Sequence, residues 1–463
     1  MKKTLYFIFC SLLLPFLLTA CGKGAEQVQD GPQEVVLAAL EGTDPHQGDD
    51  LPTIIQRFNE SQSEYMVRLE YISVNRTHNS DGSVSTSGEQ YAEAMERLKI
   101  DLVTGIGGYD VLWLTDETFL NINVQDLLDA GILEDLGIWL DKDGGLERED
   151  IFDMVLTAFT LNDTLFALPA EIDVGCLSGS PELLGDRTEW TLREFLDFAA
   201  EHPDMNILNC DMSIFAAYFL FVECKISFVN ADGNGQLVFD EDLLRDFLEF
   251  CKNVPSRQGE QGIFRTSISL SASQNYRYLN TDPRTFIGYP TQDGQNGCMI
   301  NNHGSVSICS NSDCKEGAWA FLEFFLLHKD DNRNTEHVLA PNEYTYPAVK
   351  ALFEKRMAEE LYIQWDRDEN GEILIDEQGN PKLRYTRMSG TFVYPPLTEE
   401  DVAFVRDFLL SSRGAHLELH STDQLYYIMS EESAPYFNDQ KTLEEVVEII
   451  KRRFMLYYQE QEA

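Results

Sequence analysis

From residue 33 onward, short apolar runs alternate with segments in which apolar residues recur every three or four positions. The runs at 35–40, 67–72 and 109–114 predict strands, and the first and last are apolar enough to be buried on both faces. The spacing of apolar residues across 51–58 and 91–102 predicts helices between them. Alternating strands and helices favour an α/β fold in which a parallel sheet is covered by helices on both faces.

The second half of the chain carries further local signals. Thr191 and Glu194 have the spacing of a capping box, and Asp240 precedes a helical pattern as an N-cap residue would. Asn234-Gly235 between two short apolar runs predicts a hairpin. The remaining predictions are a helical stretch at 215–221, strands at 285–290 and 306–309, and helices at 243–251, 315–327 and 441–458.

The N-terminus has the pattern of an exported lipoprotein. Lys2-Lys3 precedes an apolar run that ends in Leu18-Thr19-Ala20-Cys21. That run is shorter than the roughly 20 apolar residues needed to span a bilayer, and Pro15 interrupts it. We therefore expect residues 1–20 to be a signal peptide, Cys21 to carry a lipid anchor with palmitate among its acyl chains, and 21–32 to be a flexible tether. This pattern predicts attachment to the extracytoplasmic face of the cell membrane.

Length and charge limit the possible architecture and partners. At 463 residues the chain exceeds the roughly 250 to 300 at which single cores divide, so two lobes are expected. The formal net charge of -44 repels phosphate backbones, which makes nucleic acid an unsuitable partner. The same charge suits a neutral or cationic ligand, although an acidic shell that only keeps the protein soluble is the simpler explanation.

Cysteine usage gives no disulfide framework. After Cys10 and Cys21 are set aside, seven cysteines remain, so at least one is unpaired. Most lie among apolar neighbours, where a free cysteine behaves as a small hydrophobic residue. Cys309 and Cys314 are close enough in sequence to pair, but the geometry of the fold decides this.

Several segments, in this order along the chain, resemble the family 1 extracellular solute-binding proteins, the sugar-capturing lipoproteins of ABC importers. Each segment alone is a weak signal, but their shared order covers nearly the whole chain after the signal peptide. The matching segments are the lipobox at 18–21, Tyr109-Asp110-Val111-Leu112-Trp113, 131–136, 165–169, Trp190-Thr191 with Glu194-Phe195, 286–290 and 315–322.

The resemblance implies an α/β, two-lobed periplasmic-binding-protein-like (type II) fold, with an interlobe cleft and hinge strands near Pro169–Leu177 and Tyr289–Ile300. It implies that lobe 1 comprises 33–170 and about 295–345, that lobe 2 comprises 171–294, and that C-terminal helices in 346–463 pack on both. Ligand would be trapped as the lobes close, without a cofactor and without chemical change, and delivered to membrane permease subunits. One departure is Cys176-Leu177-Ser178-Gly179, where the family often has an aromatic pair.

Sugar binding needs aromatic faces and planar polar groups, and such groups gather where strands of open α/β sheets end. Trp113 and Tyr218 are more typical of core aromatics, whereas Asp116 and Asp173 are equally typical of helix caps. Alanine in place of Trp113, Asp173 or Tyr289 is expected to weaken binding with little loss of stability. The candidate ligand residues are Asp44, Trp113, Asp116, Glu171, Asp173, Tyr218, Tyr276, Tyr289, Gln292 and Asp293.

The sequence gives weaker support for calcium, metal or catalytic sites. Residues 366–377 match the EF-hand loop pattern, but a strand and turn pattern follows where an exit helix is required, so we expect no calcium site there. His416 and His420 have one-turn spacing without further converging ligands, so no metal site is predicted. Nucleotide-hydrolase, serine-esterase and zincin motifs are absent from the sequence. Two rivals remain: a surface glycoside-acting enzyme using Glu171 and Asp173, and an adhesin.

Overall fold

The architecture is taken from a computed structural model of the chain. It describes residues 31–41, 51–75, 77–78, 84–85, 88–115, 118, 123–142, 144–208, 213–231, 233, 236–254, 260–268, 285–329, 345–361, 368, 370–376, 379, 381–382, 388–389, 392–393, 398–417 and 424–461. The helices are α1 (Leu51–Ser61), α2 (Gly88–Thr104), α3 (Val124–Asp129), α4 (Gly137–Leu140), α5 (Asp153–Ala158), α6 (Pro181–Leu184), α7 (Leu192–Glu201), α8 (Ser213–Tyr218), α9 (Glu241–Lys252), α10 (Lys315–His328), α11 (Lys350–Glu360), α12 (Glu399–Ser411), α13 (Gln424–Phe437) and α14 (Leu443–Gln461). A 3₁₀ turn spans Arg148–Asp150, and a π-helix spans Phe219–Glu223.

The strands are β1 (Gln33–Leu40), β2 (Tyr65–Ile72), β3 (Thr77–His78), β4 (Val84–Ser85), β5 (Val111–Leu114), β6 (Thr160–Leu161), β7 (Thr164–Leu165), β8 (Leu168–Pro169), β9 (Glu171–Gly179), β10 (Met205–Asn206), β11 (Val229–Ala231), β12 (Leu237–Phe239), β13 (Glu260–Gln261), β14 (Phe264–Ser267), β15 (Thr285–Ile287), β16 (Gly297–Asn301), β17 (Ser305–Ile308), β18 (Thr345–Pro347), β19 (Met388–Ser389), β20 (Phe392–Val393) and β21 (Gly414–Leu417).

The first lobe is built on a five-stranded sheet with strand order β2-β1-β5-β17-β8. Strands β1, β2 and β5 are parallel, with Val35 beside Val67 and Leu37 beside Val111, as the alternation of strands and helices predicted. Strand β17 is antiparallel to β5 and β8, so the expectation of a wholly parallel sheet is wrong. The reason is the connection: β17 follows β16 directly instead of a crossover helix, so it enters the sheet from the opposite end.

The second lobe is mainly helical and confirms several local predictions. Thr191 and Glu194 form the reciprocal capping box of α7, and Asp240 caps α9 by accepting from the amide of Leu243. The predicted hairpin is formed by the antiparallel strands β11 and β12. The predicted helix around 215–221 instead changes to π geometry at Phe219. Such π segments are rare in proteins, and those that occur are often found at functional sites.

Two hydrophobic cores show where the chain passes from lobe to lobe. In β9 the buried residues up to Cys176 belong to the first core, and Leu177 belongs to the second. In β16, Cys298 and Ile300 contact the first core and Met299 contacts the second, so this strand lies between the two cores. These positions lie within the two segments where the hinge crossings were expected.

The C-terminal helices divide between the lobes. Phe353 of α11 and Val405 of α12 lie in the first core, whereas Ile428 of α13 and Val446 of α14 lie in the second. The chain therefore crosses the junction once more between α12 and α13, next to β21. The domain boundaries given above remain predictions. Six described cysteines, including Cys309 and Cys314, are buried free thiols.

Candidate functional site

Strand β9 forms the centre of a sheet that joins the lobes. Strands β14 and β18 pair with one edge of it, and β15 and β16 pair with the other. Side chains alternate between the two faces of a strand. The face carrying Ile172 and Val174 is covered by the first core, whereas the face carrying Asp173, Gly175 and Leu177 turns toward lobe 2.

Asp173 is the most distinctive polar residue on this second face, and it is 9% exposed. Its Oδ2 accepts a hydrogen bond of 3.1 Å from Nδ2 of Asn301 on β16 and lies 3.5 Å from Nε2 of His303. Its Oδ1 is buried, and no described residue donates a hydrogen bond to it. A buried carboxylate oxygen without a donor costs free energy, which makes this atom a candidate acceptor for a ligand hydrogen bond.

The turn between β16 and β17 fixes the neighbours of Asp173. Nδ2 of Asn302 donates to the carbonyl of Leu114 at 3.0 Å and to Oγ of Ser305 at 3.1 Å, which ties the turn to the end of β5. A side chain at Gly304 would collide with the Trp113 ring, its Cβ lying 2.0 Å from the nearest ring carbon. The same turn leaves His303 53% exposed at the side chain, so its imidazole is accessible beside the buried carboxylate.

Glu171, two residues before Asp173, is paired with two largely buried cations. Its carboxylate lies 2.6 Å from Nζ of Lys329 and 2.6 Å from a guanidinium nitrogen of Arg356, and it accepts a hydrogen bond from Thr345. Burial by itself would raise the pKa of Glu171, but the two cations outweigh it and hold that pKa well below its ordinary value. Both oxygens are therefore engaged at the point where β9 begins.

Two residues after Asp173, on the same face of β9, Gly175 lies against Tyr289 of the second core. Tyr289 is 2% exposed and packs edge-on against Phe219 of the π-helix, with ring centroids 5.0 Å apart. A Cβ added to Gly175 would lie 2.7 Å from the Tyr289 hydroxyl oxygen, so the tyrosine occupies the space that the glycine leaves. Burial, followed by the charge of Glu223, raises the pKa of Tyr289 well above its ordinary value.

A partly buried ion pair lies beside this tyrosine. Glu223, the last residue of the π-helix, is paired with Arg265 of β14. The Arg265 guanidinium also lies 5.3 Å from the centre of the Phe219 ring. These contacts connect the π-helix to a strand that itself pairs with β9.

The other predicted ligand residues lie in different surroundings. Trp113 is 2% exposed and packs edge-on against Phe325, inside the first core. Tyr218 is half-buried and packs edge-on against Tyr426 of α13. Gln292 and Asp293 are exposed in a turn, where the Asp293 carboxylate accepts from Gln295. Asp44, Asp116, Tyr276 and the lipidation residue Cys21 lie outside the described residues.

The structure thus brings Asp173, Glu171 and Tyr289 together at the sheet that joins the lobes. It places the Trp113 ring against Gly304, in the turn between β16 and β17. The burial of Trp113 and Tyr289 revises the expected effect of alanine there, since emptying a core site costs stability. Sequence reasoning missed Asn301 and His303. The run Asn301-Asn302-His303-Gly304 between two apolar strands was the available signal, because consecutive polar residues at a lobe crossing favour a functional turn.

Two further observations concern metals and membranes. Within the described residues, no group of three or more His, Cys, Asp or Glu side chains is arranged to hold a metal ion. In the predicted calcium-like stretch, Asp368 accepts from the amides of Asn370 and Glu372, as in a turn, and part of 366–377 lies outside the described residues. Among the helices described, none has the length and apolar content needed to cross a bilayer.

Comparison with solved structures identifies this architecture. A family 1 extracellular solute-binding protein from Alicyclobacillus acidocaldarius superposes with a TM-score of 0.52 at 13% identity, covering 91% of this chain and 98% of that one. A sugar transporter from Rhizobium etli, in an open conformation, superposes with a TM-score of 0.50 at 11% identity, covering 90% and 98%. No family model and no curated protein matches the sequence. The expected two-lobed α/β fold is confirmed.

Proposed function

We propose that this protein is a lipid-anchored substrate-binding protein of an ABC importer. It captures a carbohydrate, and specifically an oligosaccharide, between its lobes and delivers it unaltered to the membrane permease. The observation that carries this proposal is the buried Asp173 carboxylate, whose Oδ1 has no donor among the described residues and which lies where the chain crosses between lobes.

A sugar hydroxyl suits this carboxylate because it supplies the missing donor without bringing a charge into the junction. Asn301 holds Oδ2, and the accessible imidazole of His303 can form a second polar contact. Tyr218, Tyr426 and Tyr427 form an aromatic group in lobe 2 that would supply the flat apolar faces on which sugar C–H surfaces stack. The neighbouring structure named as a sugar transporter supports this ligand class.

The membrane anchor rests on the sequence. Small residues precede Cys21, and residues 21–32 are polar and lead directly into β1, which begins at Gln33. A tether at this end leaves the lobes free to move against each other while the protein stays near its permease. Mass spectrometry of the protein from membranes, showing a diacylglyceryl group on an N-terminal Cys21, tests this part.

A binding role fits the carboxylates better than glycoside hydrolysis does. A hydrolase of the usual kind pairs a carboxylate with a carboxylic acid whose pKa is raised. Here the pKa of Glu171 is lowered by Lys329 and Arg356, so Glu171 has no proton to donate near neutral pH. Glu171 is therefore unsuited to the role of that acid.

A thermal-shift screen over mono- and oligosaccharides tests the function, with chromatography of each mixture after incubation. A ligand that binds only the native state raises the melting temperature by mass action. The proposal expects at least one oligosaccharide to raise it and to be recovered intact. Cleaved sugar would identify an enzyme, and binding to cells or matrix with no small-ligand shift would identify an adhesin.

A further inference from the structure

A second concave site lies in lobe 2, away from the joining sheet. It is a pocket of about 290 Å³ between α7, α9 and the segment around β10. Leu196, Met205 and Phe250 are among its apolar lining residues. Ligand pockets for free small molecules usually span roughly 300 to 1,000 Å³. This pocket is at the lower limit, which suits one inserted side chain better than a whole ligand.

The polar lining of the pocket consists of three carboxylates together with His202 and Asn253. Asp246 and Glu249 are three residues apart on α9 and so share one face, and Asp197 lies across from them on α7. Burial raises the pKa of Asp246; Arg193 partly offsets this, and the nearby charge of Asp197 adds to it. The carboxylates of Asp246 and Asp197 are thus close enough for their negative charges to repel each other.

The cations of the lobe do not neutralise this group. Arg193 is shared between Asp246 and Asp240, at 3.3 Å from each. Among the described residues, Asp197 and Glu249 have no ion-pair partner. The three carboxylates are exposed whereas Leu196 is buried, so the negative charge lies at the mouth of the pocket above an apolar floor.

We propose that this pocket is a docking site for a lysine or arginine side chain presented by a partner protein. Such side chains have an apolar stem and a cationic tip, which matches the apolar floor and the acidic mouth in that order. A second copy of this chain is a poor occupant, because two molecules of net charge -44 repel each other. The inference is independent of sugar capture, since no pocket-lining residue belongs to the joining sheet.

The test uses the whole protein with 13C-methyl-labelled methionine, because Met205 lines the pocket. Its resonance is assigned by its loss in Met205→Leu. The probes are the capped tripeptide Ala-Lys-Ala and the same peptide with norleucine, which keeps an aliphatic stem but has no ammonium group. A saturable shift of the Met205 methyl with the lysine peptide alone is expected, and added salt should weaken it.

Charge variants complete the test. Asp197→Asn and Glu249→Gln should each weaken lysine-peptide binding about two- to five-fold, as expected for exposed charge pairs. Glu182→Gln, an exposed carboxylate of the same lobe outside the pocket, should leave it unchanged. Equal binding of the norleucine peptide, or no effect of either pocket variant, would overturn the proposal. Equally tight binding of n-butylammonium would also overturn it, by identifying a site for small cations. Asp173→Asn should leave the shift of the Met205 methyl with the lysine peptide unchanged. That outcome would show that peptide binding at the pocket does not depend on the proposed sugar site.

Discussion

The side-chain amide of Asn301 donates a hydrogen bond of 3.1 Å to Oδ2 of Asp173, across the two strands that carry the chain between the lobes. The bond orients the carboxylate and engages one oxygen. The other oxygen, Oδ1, is buried and has no donor among the described residues. An acceptor of this kind at the junction of two lobes is suited to a ligand that enters between them.

Asp173→Asn should weaken oligosaccharide binding about ten- to a hundred-fold, because a hydrogen bond to a charged group contributes about 1.5 to 3 kcal/mol. Asn301→Ala should weaken binding less, since it misplaces the carboxylate without removing it. Titration calorimetry measures both affinities, and Asp186→Asn, an exposed aspartate, serves as the matched control. Unchanged affinity in Asp173→Asn would remove this residue from the site.

Glu171→Gln should destabilise the fold by about 3 to 5 kcal/mol, because it leaves Lys329 and Arg356 buried without their counter-charge. Urea unfolding measures the loss. The control is Glu354→Gln, which breaks the more exposed pair with Arg406 and should cost at most about 1 kcal/mol. Similar losses in the two variants would show that the network at the start of β9 contributes no more than a surface pair.

The contribution of Glu171 should also depend on pH. Its folded-state pKa is lowered, so its stabilisation is fully present above the unfolded-state pKa of about 4.3 and is lost as the pH falls through the folded-state value. The difference in unfolding free energy between the wild type and Glu171→Gln should be constant from about pH 7 to about pH 5.5 and shrink below about pH 4. A difference that grows on acidification would contradict this sign.

Gly175→Ala should destabilise the protein by about 1 to 3 kcal/mol, because the new methyl group meets the buried hydroxyl of Tyr289. Adding Tyr289→Phe removes the clashing oxygen and should recover part of the loss. Gly233→Ala is the control, since its added Cβ meets no atom within 4 Å. Additive losses in the double variant would show that the two residues do not oppose each other.

Local chemistry explains which parts of the fold could be predicted from sequence. The caps at Thr191 and Asp240 depend on residues three positions away, so their patterns are complete within one turn of chain. The reversed direction of β17 depends on its connection through β16, which no local pattern records. The π geometry at Phe219 has no signal in the apolar spacing.

The candidate site shows the same limit. Asp173 follows the strand end at Pro169, so its neighbourhood could be predicted, whereas its partner Asn301 lies 128 residues away. The ion partners of Glu171 lie 158 and 185 residues away, so its engagement could not be foreseen. Trp113 and Tyr289 have the composition of a sugar platform, but tertiary packing places them in the cores.

Small-angle scattering with and without a saturating oligosaccharide tests the central claim most directly, because closure of two lobes on a ligand makes the molecule more compact. We predict that the sugar found in the thermal-shift screen lowers the radius of gyration of the wild type and leaves that of Asp173→Asn unchanged at the same concentration. A sugar that binds the wild type without changing its radius of gyration would contradict capture by closure of the lobes.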